Sequence, residues 1–348
     1  MKKTLLAMGL ALVVSTGFAS DLPNITILAT GGTIAGTAGS STQTAEYKSG
    51  QLAVQTLISA VPEITAVADV TGEQIANIGS ESMTDDVWLK LAKRCNELLA
   101  RPDVDGIVIT HGTDTLEETA YFLTLTVKSN KPVVLTGAMR PATAISADGP
   151  INLLNAVKVA ADAGARNKGV LVALNDEINA GRDVTKTYTT NVDTFHSPVL
   201  GALGMIVDGK PLFYRQPTKP HTTAAEFDVS KLERLPRVDI VYSHANDDGI
   251  MTEAAVKAGA KGLIHAGTGN GSIHGNTEAS LKHAADKGVV VVRSSRTGSG
   301  YVTPNQGYRA LGLLEADTLN PQKARILLQL ALTKTSDPKK IQAILNTY

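Results

Sequence analysis

The chain has a single cysteine, Cys95, so no internal disulfide can form even in an oxidising compartment. Cys95 shares a helical face with Leu91 and Leu98 and reads as a small buried hydrophobe. An excess of one charge is also missing: Lys plus Arg and Asp plus Glu number 33 each, and no long basic run occurs. That balance lacks the electrostatic footprint of a nucleic-acid or anionic-membrane partner. The seven histidines form no HExxH and no paired Cys/His spacing, so no metal is expected. Phosphate-binding signatures are absent too, since no G-x-x-x-x-G-K-[ST] occurs and no G-x-G-x-x-G opens a helix.

Long apolar runs are confined to the start of the chain, and even there the run is short. Met1-Lys2-Lys3, the apolar stretch 5–14 and Gly17-Phe18-Ala19 have the layout of an export signal, cleaved after Ala19. A membrane-spanning helix needs about 20 apolar residues. The expectation is a soluble mature protein in the periplasm.

What is present after residue 19 is an alternation of β-branched runs and helical ones. "NITILAT", "GIVIT", "PVVLTG" and "GVLVAL" read as buried strands, with "TDDVWLKLAKRCNELLA", "LEETAYFLTLTV" and "INLLNAVKVAADA" as helices between them. Thr84 is the expected N-cap of the first helix. The pattern predicts an α/β fold in two domains. Residues 20–212 form a larger, mainly parallel sheet with flanking helices, residues 213–236 an interdomain connection, and residues 237–348 a smaller flavodoxin-like parallel sheet. Two closing helices open on Asn320-Pro321 and Asp337-Pro338, each a cap followed by proline.

In an open parallel sheet, ligands bind outside the carboxyl ends of the strands. Four such ends carry reactive or glycine-rich sequence: "TGGTIAG", "GSESMT", "HGTDT" and "GAMRPATAISADGP". Thr33 follows Gly31-Gly32, where missing side chains let a carbonyl approach and leave N–H groups free. That suits a hydroxyl nucleophile, although a glycine turn before a helix also suits a plain loop. Thr113 and Asp114 add a hydroxyl and a carboxylate, a pair that also serves as a turn or cap. Lys186 is either solvated surface or a partly desolvated amine beside Thr113, and Tyr47 either a packed aromatic or a partner of Thr33.

"TGGTIAG" around Thr33 and "THGTDTLEETAYFL" from Thr110 resemble the two signature motifs of bacterial asparaginases, and "AMRPATAISADGPINL" with "LNPQKARILLQLAL" extends the match. The whole chain after residue 19 is similar to the exported type II L-asparaginases and the glutaminase-asparaginases. The resemblance implies hydrolysis of a side-chain carboxamide without a cofactor, on L-asparagine with appreciable L-glutamine activity. It assigns catalysis to Thr33 as nucleophile, Tyr47 on a closing loop, and the set Thr113, Asp114 and Lys186. Substrate binding falls to Ser80, Glu81, Thr113, Asp114, Ala138 and Asn270, with Asn270 donated across the interface of a homotetramer. The chain departs from the family where many relatives carry a glutamate, having Asn305 and Gln306 there and no acid until Glu315. Another amidohydrolase on the same fold, a glutaminase-asparaginase with near-equal activities, and a non-catalytic periplasmic amino-acid binding protein are the competing readings.

Overall fold

The computed structural model describes residues 22–44 and 47–348, so the export segment expected at 1–19 lies outside the described residues. The first apolar run forms β1 (Asn24–Gly31), followed by a 3-10 turn (Thr33–Ala35) and helix α1 (Val54–Ser59). Strand β2 (Asp69–Ile78) leads to α2 (Asp85–Leu99), β3 (Gly106–Thr110) to α3 (Leu116–Thr126), and β4 (Val133–Thr136) to α4 (Gly149–Ala161). Thr84 caps α2 by accepting the Val87 N–H at 3.3 Å. Strands β5 (Val170–Leu174), β6 (Glu177–Ala180), β7 (Thr185–Lys186), β8 (Phe195–His196), β9 (Gly204–Val207) and β10 (Lys210–Phe213) follow.

The large sheet has the order β10-β9-β6-β5-β4-β3-β1-β2. From β2 to β5 its strands are parallel, as the βαβ alternation predicts, but β5, β6, β9 and β10 pair antiparallel. Turn chemistry accounts for the difference. Asn175 and Asp176 between β5 and β6, and Asp208 and Gly209 between β9 and β10, all have positive φ. Two left-handed residues in succession make a two-residue hairpin, which can only join antiparallel neighbours.

The second sheet consists of β11 (Val238–Tyr242), β12 (Gly262–Gly267), β13 (Val290–Ser295) and β14 (Leu314–Glu315), parallel and in that order. Helices α5 (Ile250–Lys257), α6 (Gly275–Asp286) and α7 (Gln306–Ala310) intervene, and α8 (Pro321–Leu332) and α9 (Pro338–Thr347) close the chain. The Asn320 and Asp337 side chains cap α8 and α9, each with a proline in the first turn.

The stretch between β10 and β11 connects the two sheets and is anchored by a few buried side chains. Its Phe227 and Val229 are 1% exposed, and Phe227 packs on Tyr348 with ring centroids 5.3 Å apart. Helix α8 is buried along most of its length, and one apolar cluster runs through α2, α3 and α8. The two sheets therefore share a core at their junction. Cys95 lies fully buried in that core, and burial pushes its thiol up to about 12, leaving it inert. Among the described residues no helix is long and apolar enough to cross a membrane.

Candidate active site

Strands β2, β1, β3 and β4 are adjacent and parallel, so their carboxyl ends open side by side. Gly32 has φ +82°, and a Cβ added there would lie 2.3 Å from both N and Cα of Gly112. Only two glycine backbones can touch that closely, and the contact makes Thr33 and Thr113, the next residue of each loop, neighbours. Gly31, φ +109°, has the same kind of constraint against β2, since its Cβ would meet the Ile78 carbonyl oxygen at 2.4 Å. The paired glycines of "TGGT" thus sew the first strand end to its neighbours on both sides.

Thr33 is 4% exposed and heads the 3-10 turn, whose leading N–H groups have no partner within it. Its Oγ1 lies 2.6 Å from the Tyr47 hydroxyl. Tyr47 is brought back by the antiparallel bridge of Thr37 with Lys48, and Gly36 clears space for its ring, where a Cβ would sit 2.9 Å from Tyr47 Cδ2. The loop between them docks on the loop after β4: Ala38 N–H donates to Thr143 Oγ1 at 2.9 Å, and Ile145 N–H to the Ser41 carbonyl at 3.0 Å.

A second polar set meets this pair. Lys186, on β7 of the separate two-stranded β7-β8 ladder, donates to Thr113 Oγ1 at 3.0 Å and to Asp114 Oδ1 at 2.7 Å. The ammonium side chain is 14% exposed and Asp114 59%, so the pair spans from interior to solvent. Ser80 Oγ accepts the Asp114 N–H at 3.1 Å, and the Ser80 carbonyl accepts the Thr115 hydroxyl at 2.8 Å. Glu81 is exposed and folds back over Gly79, where a Cβ would lie 2.1 Å from its Oε1. No hydrogen bond or ion pair engages its carboxylate among the described residues. Ala138 is buried directly after Gly137, whose Cβ would lie 3.4 Å from Thr113 Cγ2.

The family model described as "Asparaginase, N-terminal" matches residues 24–219, and "Glutaminase/Asparaginase C-terminal domain" matches residues 237–345. The chain belongs to the asparaginase family. It is 60% identical to the L-asparaginase 2 of Bacillus subtilis over 328 residues, covering 94% of this chain and 87% of that one. It is 55% identical to the probable periplasmic L-asparaginase of Haemophilus influenzae, covering 98% of each. The crystal structure of a probable cytoplasmic L-asparaginase from Campylobacter jejuni superimposes with a TM-score of 0.92 at 55% identity, covering 94% of this chain and all of the other.

Of the residues the asparaginase resemblance assigns, Thr33 and Tyr47 are hydrogen bonded to each other, and Ser80, Thr113, Asp114 and Lys186 form a second connected group. Asn270 stands apart from both. It follows β12, and its side chain exchanges hydrogen bonds with Thr303, at 2.6 and 2.9 Å. Asn305 caps α7 by accepting the Tyr308 N–H at 3.0 Å. The next acid, Glu315, is 2% exposed and paired with Arg309. Neither side chain is free for proton transfer.

His111 belongs to the site's support, although no motif marks it for that role. It is fully buried, with Nε2 2.8 Å from Thr119 Oγ1 and Nδ1 2.7 Å from the Gly112 carbonyl. Because the Gly112 carbonyl can only accept, Nδ1 carries the ring proton, and Nε2 accepts the Thr119 hydroxyl proton, while Thr119 Oγ1 accepts the Trp88 indole N–H at 2.8 Å. The chain Trp88–Thr119–His111 thereby holds the Gly112 carbonyl, and with it the peptide plane that aims the Thr113 N–H. Its partners come from α2 and α3, so nothing near His111 in sequence signals the role.

Burial pushes His111 and His265 each down to about 4, and neither ring nitrogen of His265 has a protein partner. Between about 6.5 and 4 the unfolded chain binds protons these rings refuse, so their contribution to stability is present above about 6.5 and lost as pH falls, up to about 3 kcal/mol each. Glu118 works oppositely: burial and Glu117 raise it to about 7, so the folded state takes up its proton first and gains stability as pH falls from about 7 to 4.5. Two histidines outweigh one glutamate. The urea midpoint should be lower at pH 4.5 than at pH 7, and His265→Leu should bring the two midpoints together. An unchanged gap in that variant would show that His265 takes up its proton alike in the folded and unfolded chain.

Proposed function

We propose that this chain hydrolyses L-asparagine to L-aspartate and ammonia through an ester on Thr33, with appreciable L-glutaminase side activity. The observation that carries this reading is the 2.6 Å contact of a buried threonine hydroxyl with Tyr47 beside the Thr113–Lys186–Asp114 set. Thr33 Oγ1 attacks the amide carbon while its proton passes to the Tyr47 oxygen, and the phenol proton passes to the departing nitrogen, so Tyr47 ends neutral. N–H groups at the head of the 3-10 turn and at Thr113 hold the oxyanion. Water then cleaves the ester: its hydroxyl adds to the acyl carbon, its proton passes through the Tyr47 hydroxyl to the Thr33 oxygen as that bond breaks, and the Thr113 hydroxyl, held by Lys186, orients it. Ser80 holds the substrate's α-carboxylate, Glu81 and Asp114 its α-ammonium, and Ala138 lines the same pocket. A binding protein has no use for the Thr33–Tyr47 contact. Ammonia release measured side by side from asparagine and glutamine tests the reading, and its absence with both substrates would overturn it.

Substrate breadth turns on Glu81. A free carboxylate pairs its charge with the α-ammonium, an anchor the longer glutamine needs more. One methylene is worth only about 1–3 kcal/mol of discrimination, so asparagine is preferred and glutamine is still turned over. Glu81→Gln should lower the glutamine-to-asparagine ratio of kcat/KM severalfold. A ratio that stays the same or rises would remove Glu81 as the determinant.

The same resemblance supports a homotetramer in which Asn270 serves the partner's site, consistent with its bonding to Thr303 and to no member of the Thr33 or Thr113 groups. Light scattering of the purified protein tests it. Export to the periplasm, supported by the layout of residues 1–19 and by the name of the Haemophilus relative, is tested by cell fractionation. The division into domains at 20–212 and 237–348 is supported by the two separate sheets.

A further inference from the structure

Lys323 is 2% exposed in the first turn of α8, a helix of the second domain. Its Nζ donates to two backbone carbonyls of the first domain, Arg182 at 2.7 Å and Val184, and lies 3.8 Å from Glu117 Oε2. Glu117 also accepts from Asn320 at 3.1 Å and from Gln322 at 3.0 Å. These contacts join two segments of the site. Arg182 and Val184 lie four and two residues before Lys186, and Glu117 is three residues after Asp114 on α3. The hairpin that carries Lys186 is tied beyond it, where Thr187 and Tyr188 bond to Thr194, while Lys323 reaches the Arg182 and Val184 carbonyls before it.

We propose that Lys323 is a positioning residue for the hydrolysis: it fixes the main chain before Lys186 against the loop of Thr113 and Asp114. The inference rests on the reading of Lys186 given above. A buried amine is costly, and an apolar side chain of similar volume packs as well or better where only stability is at stake. What the amine supplies is direction, with two N–H bonds on two carbonyls two residues apart. Burial lowers its pKa to about 8 against the pull of Glu117 and Asp183, with Arg182 adding to the lowering and Glu118 opposing it. Even the neutral amine keeps two N–H donors, so both carbonyls stay held in either protonation state.

The test is a double-mutant cycle on kcat and KM for asparagine, with Lys323→Met, Lys186→Met and the two combined, each measured per folded molecule. Lys323→Met should lower kcat about tenfold or more with KM within about twofold, and should cost nothing further in the Lys186→Met background. Lys323→Gln, which keeps a donor for one carbonyl, should recover part of kcat, and it enters the same cycle if Lys323→Met does not fold. A lowered melting temperature with kcat unchanged would overturn the proposal and leave Lys323 a structural staple. So would a tenfold loss that persists when Lys186 is already methionine. If Lys186→Met alone leaves kcat intact, the assignment of Lys186 itself fails, and the role of Lys323 falls with it.

Discussion

Thr33→Ala should bind aspartate and turn over asparagine at a rate lower by at least about four orders of magnitude, the scale of loss for an essential nucleophile. The hydroxyl has one hydrogen-bond partner, Tyr47, and lies 4% exposed at the head of a turn with free N–H groups. On the proposed mechanism, removing it deletes the attacking atom and leaves those N–H groups and the proposed substrate contacts of Ser80, Glu81 and Asp114 in place. Aspartate affinity by calorimetry and ammonia release from the same folded sample separate the two effects. Activity above a tenth of the parent would mean that another group attacks, and Thr113, the neighbouring hydroxyl, would be the next candidate.

Gly32→Ala should lose activity at least a hundredfold and stability by about 3–5 kcal/mol, because its methyl group must displace backbone. The new Cβ would fall 2.3 Å from Gly112 N and Cα, and neither can move without shifting Thr113 or Thr33. Part of the cost is conformational, since φ is +82°. Gly288 has nearly the same φ, +80°, and a methyl group placed there would meet nothing within 4 Å, so Gly288→Ala should cost only about 1 kcal/mol and no activity. The difference between the two variants in urea unfolding measures the clash together with the added strain of ψ −169° at Gly32, a region essentially closed to side-chain-bearing residues. Equal costs would mean that the two glycine loops separate easily and do not register the two threonines.

Much of this arrangement is legible in the residues alone. Apolar runs such as "NITILAT" and "GIVIT" can hide only inside a parallel sheet, and the placement of ligands at carboxyl strand ends then selects the four loops that do converge. The antiparallel arm departs from that reading, because the βαβ rhythm stops at β5. Asn175-Asp176 and Asp208-Gly209 are the hairpin signals that mark the change. The stretch 213–236, read as a connection from its prolines and polar residues, joins the two sheets, and Phe227 and Val229 anchor it on the core.

Local chemistry is written in the chain itself: which residues can be nucleophile, acid or amine, where helices start, and that glycine must stand beside Thr33. Those properties follow from covalent identity and from periods of two and 3.6 residues, which act over a few positions. Which of these groups meet is a matter of the folded core. Gly32 touches Gly112 across 80 residues of chain, Lys186 reaches Thr113 from a two-stranded ladder outside the large sheet, and Lys323 grips the main chain before Lys186 from the second domain. Such contacts depend on sheet order and on burial of α8 against α3, which are set by packing of the whole core and leave no periodic trace in any one segment.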